Sequence, residues 1–249
     1  MFVKQTNKQI TDMRTLSYSS IKQFAKSANH YLQYINREQE QTPAMIKGSA
    51  FHVLTLEPDK FIDQYAIAPK VDRRTKAGKE TWQAFSEQNQ NKEILTEQDY
   101  NDIVQMSGAF YGYEHSRAIL TDDVEVFLEG EIQGLPFRGY ADIIGSDYVA
   151  DLKSCQDASP DKFSRDAYNM NYHLQAAIYC ELTGKDRYYM IAVESSAPFN
   201  IAVYEMDFQM ITAGRKLLYE LIEKFNNWDG LPETYSQKIE LLTLPAWAK

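Results

Sequence analysis

The sequence predicts a single domain, residues 1–249, of the α/β or α+β class. Two observations support this prediction. Apolar residues recur at helical spacing through most of the first 120 residues, and from residue 124 they alternate as in strands. The resulting order is helices, three strands, a helix, two strands and a helix. We expect a helical N-terminal part at 16–120, a core of sheet and helices at 124–228, and a C-terminal tail at 229–249.

The first half of the chain is expected to hold four helical segments. Residues 16–35 have apolar side chains at helical spacing, and Ser17, Ser19 or Ser20 can cap this helix. A second helix covers 45–61 and ends near Pro58, with small residues that permit close packing. Residues 68–89 start as a basic loop and become helical near Lys79, and a further helical segment spans 97–120.

The second half is expected to form the sheet. Residues 124–154 alternate in three antiparallel strands, with turns at QGLP (133–136) and GSDY (145–148). A long helix at 159–184 should end at Gly184, and two more strands fall in 187–207. A last amphipathic helix covers 208–228, and we expect the tail to be extended and packed on the body.

Composition limits the classes of protein that need to be considered. The chain is 44% hydrophobic and 24% charged, as in a folded protein with one large core. Its net charge of −9 argues against a protein that coats nucleic acid, but it allows an enzyme with a local basic channel. Cys155 and Cys180 lie outside paired motifs, which predicts neither a disulfide framework nor a zinc site. A polar N-terminus and short apolar runs predict a cytoplasmic protein without membrane contact.

The strand region carries a group of carboxylates and one lysine. Asp151 and Lys153 are two residues apart and share a strand face, and a hairpin at GSDY would bring Asp142 to Asp151. Neighbouring carboxylates repel unless a cation lies between them, and oxygen ligands suit Mg²⁺ or Mn²⁺. Glu129 and Glu131 share a face of the preceding strand. Carboxylates, a divalent metal and a lysine predict phosphodiester hydrolysis, and a solvated strand edge is the alternative.

The helix after these strands presents two stripes of side chains. The apolar stripe, which should pack on the sheet, consists of Phe163, Ala167, Met170, Leu174 and Ile178. The second stripe consists of Tyr168, Tyr172, Gln175 and Tyr179. An amide among tyrosines suits contact with a substrate or a metal-bound water, and a partly buried helix edge explains the pattern equally well.

These segments together resemble the PD-(D/E)XK nuclease superfamily. The order of Asp142, then DLK (151–153), then a helix with HLQAAIY is similar to its Gln-x-x-x-Tyr branch, which includes RecB-type and lambda-exonuclease-type nucleases. Four segments more narrowly resemble the nuclease domain of RecE-type exonucleases: GSAFHVLTLEPDKF, DRRTKAGKETW, RGYADII and VADLKS. The resemblance covers residues 16–228 and implies a mixed central sheet flanked by helices. Ala141 stands where the superfamily name has proline.

The resemblance implies a role for each matching residue. The implied metal ligands are His52, Asp142, Asp151 and the carbonyl of Leu152, and the implied catalytic side chains are Lys153, Asp151, Asp142, Glu131, Gln175 and Tyr179. Lys153 would position or activate the attacking water. Glu131, or Glu129 in its place, would hold a metal-bound water or a second metal. Gln175 and Tyr179 would steady the site and contact the DNA backbone, and Mg²⁺ would be the cofactor, with Mn²⁺ able to substitute.

A basic loop supplies the expected DNA contacts. Its candidates for DNA binding are Arg73, Arg74, Lys76 and Lys79. A guanidinium group binds phosphate in bidentate fashion, so Arg73 or Arg74 would hold a backbone phosphate, at the 5′ end of a strand. A solvated charged loop is the alternative interpretation.

The function implied by the resemblance is that of a Mg²⁺-dependent exodeoxyribonuclease. It would resect linear double-stranded DNA from 5′ to 3′, release 5′-mononucleotides and leave 3′ single-stranded tails for recombination. The same resemblance implies a homo-oligomeric ring, trimer or tetramer, a RecT-like single-strand annealing partner, and a phage or prophage origin in a bacterial host. The alternatives are an endonuclease of the same fold and a non-catalytic subunit that binds DNA ends.

Overall fold

The computed structural model describes residues 15–36, 41–233, 235 and 239–244. The N-terminal half is mostly helical, as the apolar spacing predicts. Its helices are α1 (Tyr18–Lys26), α2 (Ala28–Asn36), α3 (Pro43–Leu56), α4 (Pro58–Gln64), α5 (Lys76–Gln88), α6 (Glu97–Gly112) and α7 (Glu114–Ile119). Two short strands, β1 (Tyr65–Ile67) and β2 (Glu93–Leu95), lie among them and pair in parallel on either side of α5. This pair is not predicted from the sequence, because strands of three residues are too short to show alternation.

The C-terminal half contains the main sheet. Its strands are β3 (Val124–Ile132), β4 (Leu135–Ile144), β5 (Tyr148–Cys155), β6 (Arg187–Glu194) and β7 (Ile201–Glu205). Its helices are α8 (Pro160–Asn169), α9 (Tyr172–Thr183) and α10 (Phe208–Asn227). The spatial order of the strands is β3-β4-β5-β6-β7, and only the β5–β6 pair is parallel. The predicted fold class, a mixed central sheet flanked by helices, is therefore confirmed.

Two hydrophobic clusters cover the two faces of this sheet. One contains side chains of α1, α9 and α10, represented by Phe24, Leu174 and Leu218. The other contains side chains of α3 and α6, represented by Phe51 and Ile103. Because a strand alternates its side chains between faces, the same strands supply both clusters.

The first predicted helix, 16–35, is two helices. Ser17 caps α1 and forms a capping box with Ser20, which selects Ser17 from the three candidates. The backbone of Ser27 is extended, with φ −174° and ψ 161°, which ends α1. The hydroxyl of Ser27 then accepts a hydrogen bond from the backbone N–H of His30 at the start of α2. A serine favours such a cap over a helix interior because its side chain competes for backbone hydrogen bonds.

The predicted long helix at 159–184 is also divided. Asn171 adopts a left-handed conformation with φ 58°, which separates α8 from α9, and Gly184 ends α9 as expected. The break turns Met170 outward, and half of its surface is exposed. Met170 therefore does not belong to the apolar stripe. Tyr168 is exposed as well and stacks on His173, so it lies apart from the other three residues of the second stripe.

The C-terminal segment differs in part from its prediction. Glu233 exchanges two hydrogen bonds with Asn29, which attaches the start of the tail to α2. The apolar side chains of Ile239, Leu241 and Leu242 are almost fully exposed, so this part is not packed on the body as predicted. The remaining tail residues lie outside the described ranges. Among the described residues, no helix has the length and apolar character needed to cross a bilayer.

Candidate active site

The β4–β5 hairpin brings Asp142 to Asp151, as the sequence predicts. Next to the turn, backbone pairing joins Ile143 to Ala150, and the next pair in this register is Asp142 with Asp151. The ladder stops there, and Asp142 Oδ2 accepts a hydrogen bond of 2.7 Å from the backbone N–H of Leu152. The side chain of Asp142 thus replaces a ladder bond at the point where the two strands separate.

A third carboxylate, Glu125, lies in the same register position on β3. The pairs Val124–Ile143 and Val126–Ala141 flank it and place Glu125 opposite Asp142. Glu125, Asp142 and Asp151 therefore form a row across three adjacent strands, whose spacing is about 4.8 Å. We call these three residues the carboxylate row. Glu125 has a φ of 48°, a conformation that is uncommon for residues other than glycine and that often occurs at functional sites.

Helix α3 adds an imidazole to the row. Gly48 allows α3 to approach β5 closely, because a Cβ at this position would lie 3.3 Å from Ser154 Oγ. Four residues later, one helical turn on, His52 lies with Nδ1 3.5 Å from Asp142 Oδ2. The small residues of the predicted segment thus have the close-packing role expected of them, and His52 is next to the carboxylates.

The side chains of His52, Glu125 and Asp142 form a group that could hold a metal ion. One ligand atom from each residue lies within 4.8 Å of the other two. The Leu152 carbonyl adds a further donor, because both polar groups of a strand residue point to one edge and the Leu152 N–H points at Asp142. Two carboxylates, a carbonyl and one imidazole are a donor set that fits Mg²⁺ or Mn²⁺.

The electrostatics of the metal-free site favour a cation. Burial, with added repulsion from Asp142 after the opposing effect of Lys153, raises the pKa of Asp151 to about 6. Burial and the charge of Asp142 raise the pKa of Glu125 to about 7, and burial also raises the pKa of Asp142. Burial lowers the pKa of His52 to about 4, which leaves its ring neutral and able to act as a ligand. A bound cation would offset the cost of these crowded carboxylates.

Asp151 is already engaged by two side chains. Its Oδ1 accepts a hydrogen bond of 2.7 Å from the buried amide of Gln175, and its Oδ2 forms an ion pair with Lys153. Burial disfavours the charge of Lys153, but attraction from Asp151 and Asp142 is stronger and raises the pKa of its ammonium group. Lys153 is therefore a fixed positive charge at neutral pH in the metal-free protein.

Gln175 and Tyr179 support the site from behind. Both are buried, with 5% and 6% of their surface exposed, and the expected contact with the DNA backbone stays a prediction. Tyr179 packs on Gly139 of β4, where a Cβ would lie 2.9 Å from the tyrosine ring. Their geometry fits the other expected role, which is to hold the strands and Asp151 in place.

The predicted acidic residues Glu129 and Glu131 lie away from the row. Glu131 pairs with Pro136, six residues before Asp142 on β4, which is roughly 20 Å along the strand. Glu129 pairs with Arg138, roughly 13 Å from Asp142. The structure therefore places Glu125, and neither Glu129 nor Glu131, in the carboxylate row. The turn at QGLP contained the signal, because a two-residue turn at 133–134 places residue 125 opposite residue 142.

The basic loop has local partners. The guanidinium of Arg73 lies 3.1 Å from the centre of the Trp82 ring, and the guanidinium of Arg74 makes two hydrogen bonds to Asp72 at 3.0 and 3.1 Å. Lys76 has a weak ion pair with Glu80, and Lys79 is exposed on α5. These four residues lie between β1 and β2 in the sequence, at the start of α5 and in the loop before it, and their role in DNA binding stays a prediction.

Comparison with known proteins agrees with this fold. The family described as a PDDEXK-like domain of unknown function (DUF3799) matches residues 17–241. One similar crystal structure is that of a protein from Eubacterium rectale that is provisionally named an exonuclease. Its sequence is 14% identical to this chain, and the two structures align with a TM-score of 0.63 over 98% of this chain and 96% of that one. At this identity the similarity shows the fold alone. No match to a curated protein sequence was found.

Two further crystal structures are more distantly similar. An alkaline exonuclease from Laribacter hongkongensis is 11% identical with a TM-score of 0.38, and the match covers 89% of this chain and 93% of that one. A phage-related exonuclease from Haemophilus somnus is 15% identical with a TM-score of 0.34, over 70% of this chain and 95% of that one.

Proposed function

The chain belongs to this family of PDDEXK-like domains, and from that premise we propose that it is a divalent-metal-dependent nuclease that hydrolyses phosphodiester bonds of DNA. The observation that carries the proposal is the carboxylate row with Lys153 beside it. Glu125 and Asp142 share a ligand group with His52, while Lys153 is held against Asp151. Each component suits phosphodiester hydrolysis.

The side chains divide the work of this reaction. His52, Glu125, Asp142 and the Leu152 carbonyl would hold Mg²⁺ or Mn²⁺, which when bound supplies Lewis-acid polarisation and a lowered pKa of water. Lys153 stays protonated and offers its charge to the anionic oxygens of the phosphate as negative charge develops. Gln175 fixes Asp151 so that the lysine keeps its place, which preorganises the site.

The finer features of the activity rest on the resemblance to RecE-type exonucleases. They are resection of linear duplex from 5′ to 3′, release of 5′-mononucleotides, assembly into a trimeric or tetrameric ring, and cooperation with a RecT-like annealing protein. A DNA contact by this loop rests on the guanidinium of Arg73, which lies over the Trp82 ring and has no carboxylate partner among the described residues, whereas the Arg74 guanidinium is bound to Asp72. An endonuclease and a non-catalytic end-binding subunit are the alternatives.

Digestion of matched DNA forms tests the proposal. Linear duplex with strand-specific end labels and covalently closed circular DNA are incubated with the protein in Mg²⁺, in Mn²⁺ and in EDTA. We expect metal-dependent loss of the linear DNA from its 5′ ends, with intact circles. Lys153→Met, purified in the same way, serves as the inactive control.

The other outcomes separate the alternatives. Cutting of closed circles would identify an endonuclease, because a circle offers no end. Loss from the 3′ ends would retain the nuclease and reverse the polarity. Binding of DNA without cleavage in either metal would contradict the proposed activity and support the end-binding subunit.

A further inference from the structure

Helix α1 places a second lysine beside the candidate active site. Tyr18 and Lys22 lie one helical turn apart, and the Lys22 ammonium is 5.3 Å from the centre of the Tyr18 ring. Burial lowers the pKa of Lys22, and the charges of Lys26 and Lys153 lower it further. Lys153 has Asp151 as its counter-ion. Within the described ranges, Lys22 has neither a hydrogen bond nor an ion pair from its ammonium group.

Two lysine–tyrosine pairs are joined at the break between α8 and α9. The Tyr18 hydroxyl donates a hydrogen bond of 2.8 Å to the carbonyl of Met170 at that break. On the other side of the break, Tyr172 begins α9, and the Lys153 ammonium is 5.0 Å from the centre of its ring. The hydrogen bond fixes α1 relative to α9, so that Lys22 and Lys153 belong to one preorganised surface.

The same surface exposes apolar groups that a folded protein usually covers. Tyr168 is 65% exposed, and Met170, whose carbonyl accepts the Tyr18 hydrogen bond, is 50% exposed. Aromatic side chains beside lysines are the combination with which proteins bind single nucleic-acid strands, since bases stack on rings and phosphates pair with ammonium groups. The chain as a whole carries a net charge of −9, so a lysine that has no carboxylate partner among the described residues is a local exception.

We propose that Lys22 binds a backbone phosphate of the DNA strand, next to the phosphate that is cleaved, and that Tyr18 and Tyr172 form the aromatic floor for this strand. This inference rests on the proposed nuclease function and extends it, since it assigns the strand a path across α1 and the start of α9. The phosphate supplies the anion that Lys22 lacks within the described chain. Lys22 is then a binding residue, and the chemistry stays with Lys153 and the carboxylate row.

Binding measurements on matched variants test this assignment. The anisotropy of a fluorescently labelled linear duplex with a single-stranded end is measured over a range of salt concentrations, with Ca²⁺ in place of Mg²⁺ to limit turnover. The proteins are wild type, Lys22→Ala, Lys22→Arg and Lys216→Ala. Lys216 is the matched control, because it is an exposed lysine of α10 whose ion pair is with Glu220.

The expected result has three parts. Lys22→Ala weakens binding about 10-fold and lowers the slope of log affinity against log salt by about one, as for the loss of one phosphate contact. Lys22→Arg restores most of the affinity and most of the salt slope, and Lys216→Ala changes neither quantity. Neutral methylphosphonate linkages are placed one at a time near the single-stranded end of the DNA. At one position the linkage weakens DNA binding by wild type but leaves binding by Lys22→Ala unchanged.

Failure of this inference and failure of the proposed function give different results. The assignment of Lys22 is wrong if Lys22→Ala binds DNA like wild type, or if the affinity difference between the two proteins is the same at every methylphosphonate position. Digestion by wild type in Mg²⁺ would still support the nuclease in that case. If wild type neither binds nor digests the duplex, both are wrong. Equal melting temperatures of the four proteins establish that a change in binding is not a change in folding.

Discussion

Glu125 stands opposite Asp142 across the β3–β4 hairpin, and both carboxylates share one ligand group with His52. Neither Glu125 nor its position follows from the motif that identifies this superfamily. The register of the hairpin alone brings Glu125 into the site, next to an aspartate that the motif does contain. The candidate metal site is therefore built from side chains of two adjacent strands, β3 and β4, and of helix α3.

The register makes a direct prediction for metal binding. Glu125→Gln keeps the shape of the side chain but removes a negative ligand, so we expect the concentration of Mg²⁺ or Mn²⁺ needed for half-maximal cleavage to rise at least about 10-fold. Glu131→Gln is the control, because Glu131 lies at the far end of the same hairpin. Titration of both metals into each variant, by cleavage and by calorimetry, makes the comparison. Equal effects of the two substitutions would remove Glu125 from the site.

Lys153 is expected to be essential for turnover. Lys153→Met should lower the cleavage rate by at least about 100-fold, because a positioned charge in the transition state is lost. It should also destabilise the metal-free protein by about 3–5 kcal/mol, because Asp151 is left buried without its partner. Cleavage assays and urea unfolding measure the two effects.

A second variant separates the two roles of Lys153. In the double variant Asp151→Asn/Lys153→Met no charge of the pair is left unpaired, so most of the stability should return. The cleavage rate should stay low, since both groups belong to the proposed site. Recovery of cleavage together with stability would mean that Lys153 serves the fold alone.

The stability of the metal-free protein should depend on pH through Glu125. The pKa of Glu125 is about 7 in the folded protein and 4.5 in the unfolded chain. Between these two pH values the folded protein therefore binds more protons at this residue than the unfolded chain does. Its contribution to the free energy of unfolding therefore falls as pH rises from about 4.5 to about 7. His52 acts in the opposite direction. Its pKa falls from 6.5 to about 4 on folding, so its contribution to the free energy of unfolding rises as pH increases from about 4 to 6.5.

Substitution of Glu125 isolates its part of this dependence. In EDTA, Glu125→Gln should be more stable than wild type near pH 8, and the difference should shrink towards pH 5 because the wild-type glutamate is then protonated. With Mg²⁺ the order near pH 8 should reverse, since the site with the glutamate binds the cation more tightly than the site with the glutamine. Urea unfolding at both pH values gives the four free energies. A difference that stays constant with pH would show that Glu125 titrates normally.

The packing of Tyr179 on Gly139 predicts a contrast between two glycines. A Cβ at residue 139 would lie 2.9 Å from the ring of the buried Tyr179, so Gly139→Ala should cost about 1–3 kcal/mol of stability and lower the cleavage rate. Gly108 lies in helix α6 with open space around it, and Gly108→Ala should stabilise the protein by about 0.5–1 kcal/mol. Thermal unfolding and cleavage rates of the two variants check this. Similar melting temperatures for both would contradict the contact.

Much of the fold follows from patterns that are local in the sequence. The main strands and their turns follow from alternation and from glycine-containing turns, and the ends of α9 and α10 follow from Gly184 and the apolar spacing. Asp142, Asp151 and Lys153 follow from the same alternation, because a hairpin of known turn length fixes which residues face each other. The same turn length also places Glu125 opposite Asp142. Glu129 and Glu131 give the stronger local signal, because they share a face of the strand.

The positions of His52, Lys22 and the two helix breaks depend on long-range contacts. His52 reaches Asp142 because Gly48 lets α3 lie close to β5, and Lys22 reaches the site because Tyr18 is bonded to the break at Met170. The alternation of the sequence determined the sheet, its turns and the residues that face one another within it. The tertiary structure alone decides which helix packs against which residue of the sheet. Such packing depends on the shapes of side chains that are far apart in the sequence, so no local pattern predicts it.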